Sequence, residues 1–496
     1  MRLAGLVMLL AGCQYVFGVE PSAQPDAPGD AAAVRVEGTL TRVQIHNAKD
    51  GTPVTSVGAV DLARDCPTAF VGDSMLDRTC DAPGTFSFEL PEQTLYRLRV
   101  ETEEASPGLV IPTERLSTGL APGITLVDWR RPDEIAAASG TQLQVSITDA
   151  NGVPLVGAFN FGSNGVWTRS THTANAGVAT ISWTAGLLDG AQGDRVFAFR
   201  EYQPDAAGRP YLGQVYDRGE ASVTMAQSTV TQTSIQLQPL MRSRCVHVAI
   251  DVPRLFARLG NLFPSIPPWR RGYAIYAAPS PEHGVVHIAP LSYDLVDVTS
   301  VPAQQTATFD QIELYPPALP GHTAVLLDLV DRLDRSTLAY TGIQVFHRLA
   351  SEPCTSAPCC EEPPPPADPA MASELRLAGV NLDTPYKTVG VPLGEPAMLT
   401  WTITGGIAPD RISVALVERT MPLDPPAVVV RHRWFLPPDH TSLAFDPKLL
   451  EPGKIYFLQV ATETGFPQAS EGRFGPPFEF PAGSAISRSQ PFYVDN

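Results

Sequence analysis

The seven residues from Gly84 to Leu90 read GTFSFEL, and their apolar side chains recur at every second position. In an extended chain this spacing puts Phe86, Phe88 and Leu90 on one face. Such alternation is typical of a strand with one buried face and one solvated face. Upstream, Asp50-Gly51 supplies a tight turn between two further candidate strands. The segment therefore predicts β structure for this part of the chain.

The rest of the chain is built in the same way. Its 496 residues correspond to three to five domains at roughly 100–150 residues each. The 49 prolines are about twice the usual share of roughly 5%, and short aromatic and β-branched runs alternate with turn residues. The composition predicts an all-β protein made of tandem β-sandwich domains joined by Pro-rich linkers.

The charge balance argues against nucleic acid as a partner. The formal net charge is −17, which would repel a phosphate backbone. Binding to nucleic acid gains affinity when clustered Lys and Arg release counterions, and the sequence has no such cluster. We expect no nucleic-acid partner.

The N-terminus has the parts of an export signal. Arg2 is followed by the apolar segment Leu3–Leu10 and then by small residues. Leu10-Ala11-Gly12-Cys13 resembles the lipobox of bacterial lipoproteins, which implies a diacylglycerol on the Cys13 sulfur and an anchor in the membrane. Gln14 follows, and a residue other than Asp there favours the outer membrane under the enteric sorting rule. A chance match within an ordinary signal, or a start codon assigned too late, is the alternative.

Six further cysteines follow the anchor, and an even number in an exported chain favours disulfides. Cys66 and Cys80 bracket a single loop and are the predicted pair. Cys245 is expected to pair with one of Cys354, Cys359 and Cys360, but the spacing does not choose among them. The spacing of Cys354, Cys359 and Cys360 lacks the two-residue separation and the histidines of a zinc site, so no metal or cofactor is predicted.

The chain has four β regions, and three of them resemble known sandwich families. The strands at 36–40, 84–90 and 96–100 resemble the carboxypeptidase regulatory-like, transthyretin-related sandwich. Residues 143–154 and 173–183 resemble a bacterial immunoglobulin-like module or a second regulatory-like repeat, with an Asn151-Gly152 hairpin turn.

The later regions differ in how clearly they can be assigned. In the third region, Leu326–Leu333 fits a strand or a short helix. In the last region, the segments 397–401, 412–416, 450–460 and 489–494 resemble a fibronectin type III or immunoglobulin-like sandwich. These resemblances imply architecture and not chemistry.

The predicted organisation follows from these segments. It consists of a signal and anchor cysteine over 1–13, a flexible tether over 14–33, a regulatory-like sandwich over 34–118, an immunoglobulin-like sandwich over 138–240, a β-rich domain of no assigned family over 241–350, a Cys/Pro-rich linker over 351–372 and a fibronectin type III or immunoglobulin-like sandwich over 373–496.

Two motifs suggest catalysis, and each lacks its partners. Residues 70–76 resemble the nucleophile block of GDS-type esterases with Ser74 as the attacking group, but the late Asp-x-x-His and the Asn-Asp block of that family are missing. His283 and His287 have metallopeptidase spacing. On a strand, however, their imidazoles would lie about 13 Å apart, too far for one zinc ion. We therefore predict no catalytic residues.

Two further groups of residues have side chains that could bind a ligand. Five aspartates near the predicted disulfide have carboxylate oxygens that suit weak calcium binding, but we expect them to form a solvated acidic loop. They are Asp61, Asp65, Asp73, Asp77 and Asp81. Trp183, Trp401 and Trp434 lie in strand patterns and are expected in cores, whereas glycan stacking would need exposed rings.

The prediction is a non-catalytic, lipid-anchored protein of the cell envelope that acts as a scaffold or a surface interaction module for a protein or glycan ligand. The alternatives are a carbohydrate-binding surface lipoprotein and, less favoured, a hydrolase whose site is not visible as a motif.

Overall fold

The computed structural model describes the chain over 33–47, 53–103, 110–128, 131, 133–163, 169–184, 186–201, 215–239, 369–392, 394–420, 427–473 and 482–495, together with six strands between 244 and 348. In these ranges the regular structure is almost entirely strand, with one α-helical turn and three short 3-10 helices. The all-β prediction is confirmed. The anchor and tether at 1–32, Cys354, Cys359, Cys360, the Pro-rich linker and His283 and His287 lie outside the described residues.

The first sandwich contains nine strands and the helical turn α1. One sheet has the order β2-β1-β6-β5 with β9 beside β1, and the other contains β8-β7-β3-β4. The elements are β1 (Val34–Asn47), β2 (Pro53–Gly58), α1 (Leu62–Asp65), β3 (Thr68–Val71), β4 (Ser74–Met75), β5 (Arg78–Asp81), β6 (Thr85–Leu90), β7 (Tyr96–Glu103), β8 (Val110–Ser117) and β9 (Gly123–Asp128).

The alternation that predicts β6 is confirmed side chain by side chain. Phe86, Phe88 and Leu90 are buried, and the residues between them are partly or fully exposed. They pack on Tyr96, whose ring meets Phe88 edge to face at 5.2 Å between centroids. The sheet extends past the predicted boundary at 118, because β9 pairs in parallel with β1.

The second sandwich packs a three-stranded sheet, β13-β10-β16, on a five-stranded sheet, β12-β11-β14-β15-β17. Its elements are β10 (Gln142–Thr148), β11 (Gly157–Ser163), β12 (Arg169–Ala174), β13 (Val178–Ser182), a 3-10 helix (Gly190–Gln192), β14 (Arg195–Glu201), β15 (Val215–Ser222), β16 (Val230–Gln236) and β17 (Gln238–Pro239).

The Asn151-Gly152 turn differs from the predicted hairpin. The Asp149 carboxylate accepts hydrogen bonds from the backbone N–H groups of Asn151 and Val153, each at 2.8 Å, and Gly152 adopts a φ of +81°. The turn closes on a single bridge between Thr148 and Pro154. The next strand, β11, then joins the other sheet, so the turn crosses between layers and does not connect paired neighbours.

The third region is described as strands only. Residues 326–332 of the segment that fits a strand or a short helix lie in a strand that pairs on both sides, and Leu333 lies outside the described residues. The strands are β18 (Arg244–Ile250), β19 (Arg270–Ala278), β20 (Val296–Asp297), β21 (Ala307–Leu314), β22 (Ala324–Arg332) and β23 (Tyr340–Arg348).

The last sandwich has its four predicted strand segments in place. One sheet has the order β25-β24-β27-β30, and β28, β29, β31, β32, β33 and β26 belong to the facing sheet. The elements are β24 (Met371–Leu377), β25 (Val380–Asn381), β26 (Lys387–Gly390), β27 (Ala397–Thr404), β28 (Arg411–Thr420), β29 (Ala427–Leu436), β30 (Ser442–Phe445), a 3-10 helix (Pro447–Leu449), β31 (Ile455–Thr464), a second 3-10 helix (Ala469–Glu471), β32 (Ala482–Arg488) and β33 (Phe492–Asp495).

The order of the sandwiches along the chain is not their order in space. Strand β8 of the first sandwich pairs in parallel with β29 of the last, and β23 of the third region pairs antiparallel with β32. A single sheet of 14 strands therefore runs through three of the four regions. The first and last sandwiches are direct neighbours. A series of consecutive domains joined by linkers, as the sequence predicts, does not imply this contact.

The disulfide predicted between Cys66 and Cys80 is present. It joins the residue after α1 to β5, with 6.2 Å between the two Cα atoms. The loop that it closes spans a sequence separation of 14 residues. A covalent link of this kind lowers the entropy of the unfolded chain.

Replacing both cysteines, in the double variant Cys66→Ala/Cys80→Ala, should lower the free energy of unfolding of the first sandwich by about 3 kcal/mol. Hydrogen exchange of β1 and β6 as a function of urea concentration measures the change within the first sandwich. Reduced wild-type protein is the control and should match the double variant. Equal stability of the oxidised wild type and the double variant would contradict the expectation.

Candidate functional site

A group of buried ionisable side chains lies where β8 meets β29, and we call this contact the seam. The register pairs Thr113 with Arg433, Glu114 with Trp434, and Arg115 with Phe435. Strand β8 is buried on both faces here, so a run of polar residues is enclosed. Leu116 from the first sandwich packs within the hydrophobic core of the last sandwich.

Glu114 is the centre of the seam on the core-facing side. Its carboxylate accepts a hydrogen bond from the Trp434 indole N–H at 3.0 Å, and Arg97 Nη1 lies 3.5 Å from the same oxygen. Burial alone would raise the pKa of the Glu114 carboxyl. The contact with His432 and the charges of Arg97 and Arg99 outweigh that effect and hold the pKa below its usual value of 4.5.

His432 lies beside this carboxylate. Its Nε2 is 3.6 Å from Glu114 Oε1, and its ring stacks on Trp434 with 4.3 Å between centroids. The imidazole is 2% exposed, and neither ring nitrogen makes a hydrogen bond within the protein. The Trp434 ring is thus held between the imidazole and Phe445 in the core.

The other face of the seam carries two buried arginines. The Arg115 guanidinium lies 5.7 Å from the Phe435 ring centroid, and that of Arg411 lies 4.8 Å from the same centroid. Arg411 also forms an ion pair with Glu463 at 2.5 Å. Burial and the nearby charge of Arg411 lower the pKa of Arg115 to about 10. This stacking fixes the orientation of both cations.

Close backbone contacts complete the seam. A Cβ placed on Gly119 would lie 2.6 Å from the carbonyl oxygen of Glu471, and one placed on Gly472 would lie 2.6 Å from Ser117 Oγ. Only glycine allows the two sandwiches to approach this closely at these positions. The buried acid, imidazole and guanidinium groups contact one another and the facing strand, which is the arrangement of a structural junction.

The structure also places the sequence motifs. Ser74 is exposed, next to Asp73, whose carboxylate lies 3.3 Å from Arg97 Nη2. Strands β3 and β4 form a hairpin around them, in contrast to the strand-to-helix turn of an esterase nucleophile. The resemblance at 70–76 is therefore limited to sequence.

The aspartates of the disulfide loop have separate roles. Asp65 is buried, and its carboxylate accepts hydrogen bonds from Arg42 at 2.7 Å and from Arg64 at 2.9 Å. Burial raises the pKa of Asp65, but these hydrogen bonds bring it below its usual value. Asp61 caps α1 through the N–H of Ala63. Over the described ranges, no group of three or more His, Cys, Asp or Glu side chains is placed to hold a metal ion.

The three tryptophans expected in cores are buried there. Trp183 lies in the core of the second sandwich, and Trp401 and Trp434 lie in the core of the last. The Trp183 indole donates to the carbonyl of Gly186 at 2.8 Å. These three rings therefore offer no stacking surface for a glycan.

The strands, cores and sheet orders define an all-β protein of several β-sandwiches. No family model and no curated protein sequence matches the chain. Among solved structures, the crystal structure of the FN1–FN3 domains of chicken CNTN1 aligns with 8% identity, covering 68% of this chain and 89% of that chain, at a TM-score of 0.14. A superposition at that score carries no argument, so the class of this protein rests on its own strands.

One negative finding concerns the membrane. In the part of the chain that the structure describes, no helix is both long enough and apolar enough to span a bilayer.

The substitution Gly119→Ala should destabilise the seam by about 1–3 kcal/mol, because the added methyl group meets backbone that has no room to yield. Gly390→Ala is the matched control, since a Cβ at Gly390 meets nothing within 4 Å. Urea unfolding and hydrogen exchange of β8 and β29 measure the effect. Similar stability and exchange in the two variants would show that the contact is not tight.

The lowered pKa of Glu114 gives the seam a defined acid sensitivity. The stability contributed by Glu114 is complete above its ordinary value of 4.5 and is lost as the pH falls through its lowered value. Glu114→Gln should therefore be less stable than wild type at neutral pH and should lose less stability on acidification. Unfolding measured as a function of pH tests this, with the exposed Glu89→Gln as control. Parallel acid profiles for wild type and Glu114→Gln would refute it.

Proposed function

We propose that this chain is a lipid-anchored scaffold of the bacterial cell envelope, held by Cys13 and facing the periplasm or the cell surface from the outer membrane. Its role is to bind a protein or glycan ligand and not to catalyse a reaction. The observation that carries the scaffold role is the seam, because it makes two sandwiches distant in sequence into one unit.

The anchor follows from the first residues. Leu10-Ala11-Gly12-Cys13 ends an apolar segment, and the residues between it and the first strand are rich in Pro, Ala and Asp. Two or three acyl chains bury many methylenes at about 0.8 kcal/mol each, which makes such an anchor effectively permanent. The present disulfide supports export, since disulfides persist in oxidising compartments.

The seam supports a mechanical role for the first and last sandwiches near the membrane. The first strand, β1, begins at Val34, so the tether would enter the sandwich that forms the seam. Buried hydrogen bonds and backbone contacts join this sandwich to the last one, so the two should move together. Two sandwiches joined in this way suit a protein that holds its other regions in position for binding.

The proposal of a non-catalytic role is supported by the partners of the buried carboxylates. Glu114 is engaged by Trp434 and Arg97, Asp65 by Arg42 and Arg64, and Asp194 by Arg131 at 2.8 Å. Each of these carboxylates stabilises a junction or a loop. The acidic net charge supports partners other than nucleic acid.

The anchor is tested by expressing wild type and Cys13→Ala in a bacterial host and labelling the cells with an alkyne fatty acid. Wild type should carry the label and sediment with membranes, and Cys13→Ala should lose both properties. Cys66→Ala removes a different cysteine and should keep the label. Labelled, membrane-bound Cys13→Ala would disprove the lipoprotein assignment. In an enteric host, Gln14→Asp should move the protein from the outer to the inner membrane.

Carbohydrate binding is the second candidate function. It is favoured by one observation, a pair of tyrosines at the surface of the last sandwich, Tyr386 and Tyr493.

A further inference from the structure

Two tyrosine rings lie together at one corner of the last sandwich. The ring centroids of Tyr386 and Tyr493 are 6.0 Å apart, with an angle of 37° between the ring planes. Tyr386 is 37% exposed, and Tyr493 is half-buried. Both residues lie outside the hydrophobic core, whose members on β26 and β33 are Val389, Phe492 and Val494. The pair therefore presents aromatic surface to solvent.

Tyr386 is held in place from two sides. Its hydroxyl accepts a hydrogen bond from Arg419 Nη1 at 2.8 Å, and its backbone N–H donates to the carbonyl oxygen of Pro491. Arg419 itself is buried to 8% exposure on β28. A surface ring fixed in this way loses little conformational entropy when a ligand stacks on it.

The loop before Tyr386 is braced by one carboxylate. Asp383 accepts hydrogen bonds from Asn381 Nδ2 at 3.2 Å, Thr384 Oγ1 at 3.0 Å and Lys387 Nζ at 3.1 Å. Partial burial raises the pKa of Asp383, and the bonds from Lys387 and Thr384 bring it below its usual value. The ionised carboxylate thus ties three residues of the loop together.

The backbone of Tyr386 is strained. Its φ is +59°, in the left-handed region that glycine or asparagine normally occupies. A tyrosine there carries a conformational cost, and this one, 37% exposed, lies outside the hydrophobic core. Strain of this kind collects at ligand-binding positions, where it fixes a side chain for contact.

Two exposed polar residues lie at strand positions next to Tyr493. Thr388 pairs with Tyr493 in the parallel register of β26 and β33, and both Thr388 and Asp495 are exposed. The Thr388 hydroxyl on β26 and the Asp495 carboxylate on β33 therefore lie on the outward side of these two strands, as Tyr493 does. Aromatic surface beside hydrogen-bonding groups suits a saccharide, because a saccharide presents both C–H faces and hydroxyl groups.

We propose that Tyr386 and Tyr493 form a saccharide-binding site. The C–H face of a pyranose ring stacks on the tyrosines, and its hydroxyls bond to Thr388 and Asp495. Arg419 is a positioning residue that orients Tyr386. The site does not depend on the lipid anchor, because every residue in it belongs to the last sandwich.

The test uses the full-length protein, purified in detergent, and four probes: cellohexaose, maltohexaose, chitohexaose and mannohexaose. Binding is measured by saturation-transfer NMR and by calorimetric titration. At least one probe should bind wild type. Tyr386→Ala and Tyr493→Ala should each weaken that binding by about tenfold, since one stacked ring contributes about that factor.

Two further variants separate stacking from folding. Met398→Ala removes an exposed apolar side chain from β27 on the other sheet and should leave binding within about twofold of wild type. Tyr386→Phe keeps the ring and loses only the bond to Arg419, so it should bind better than Tyr386→Ala. Thermal unfolding and circular dichroism confirm that each variant is folded.

The proposal is overturned if none of the four saccharides binds wild type. It is also overturned if a saccharide binds with equal affinity to wild type, Tyr386→Ala and Tyr493→Ala, because the site would then lie elsewhere. Tyrosine-dependent binding of a tetraproline peptide without binding of any saccharide would assign the pair to a protein ligand instead. Loss of labelling in Cys13→Ala has no bearing on these outcomes, so the two proposals are tested separately.

Discussion

The architecture depends on one hydrogen bond between regions distant in sequence, from the Trp434 indole to the Glu114 carboxylate. A buried carboxylate is costly unless it is paired, and here the indole, Arg97 and His432 surround it. The same tryptophan packs within the core of the last sandwich. Because one side chain serves both core and junction, the stability of the last sandwich and its attachment to the first are linked.

Much of the fold could be predicted because its signals are local. Phe86, Phe88 and Leu90 alternate within seven residues, and the structure buries all three. The Cys66–Cys80 disulfide spans a single loop, so spacing alone was sufficient to predict it. Trp401 and Trp434 lie in strand patterns whose buried face is clear from their neighbours. In each case the residues that carry the sequence signal are close together in the chain and themselves form the predicted structure.

The seam and the tyrosine pair could not be predicted in this way. Thr113, Glu114 and Arg115 are consecutive polar residues, which sequence patterns assign to a solvated edge, yet all three are buried because another sandwich covers them. Tyr386 has no local signal either, since a positive φ at a tyrosine is imposed by the surrounding loop. The Asn151-Gly152 pair predicts a turn, and the structure has a turn there. Its role in crossing between sheets depends on where β11 pairs, which is a tertiary property.

The parallel pairing of β8 with β29 also constrains how the chain folds. The Glu114–Trp434 contact spans 320 residues, so strand β8 is made long before its partner. A first sandwich that folds before β29 is made therefore has an open strand edge at β8 and a Glu114 carboxylate without its indole partner. Open edges recruit other strands, which makes this interval the step most exposed to misassembly. The seam is completed only when the last sandwich has been made.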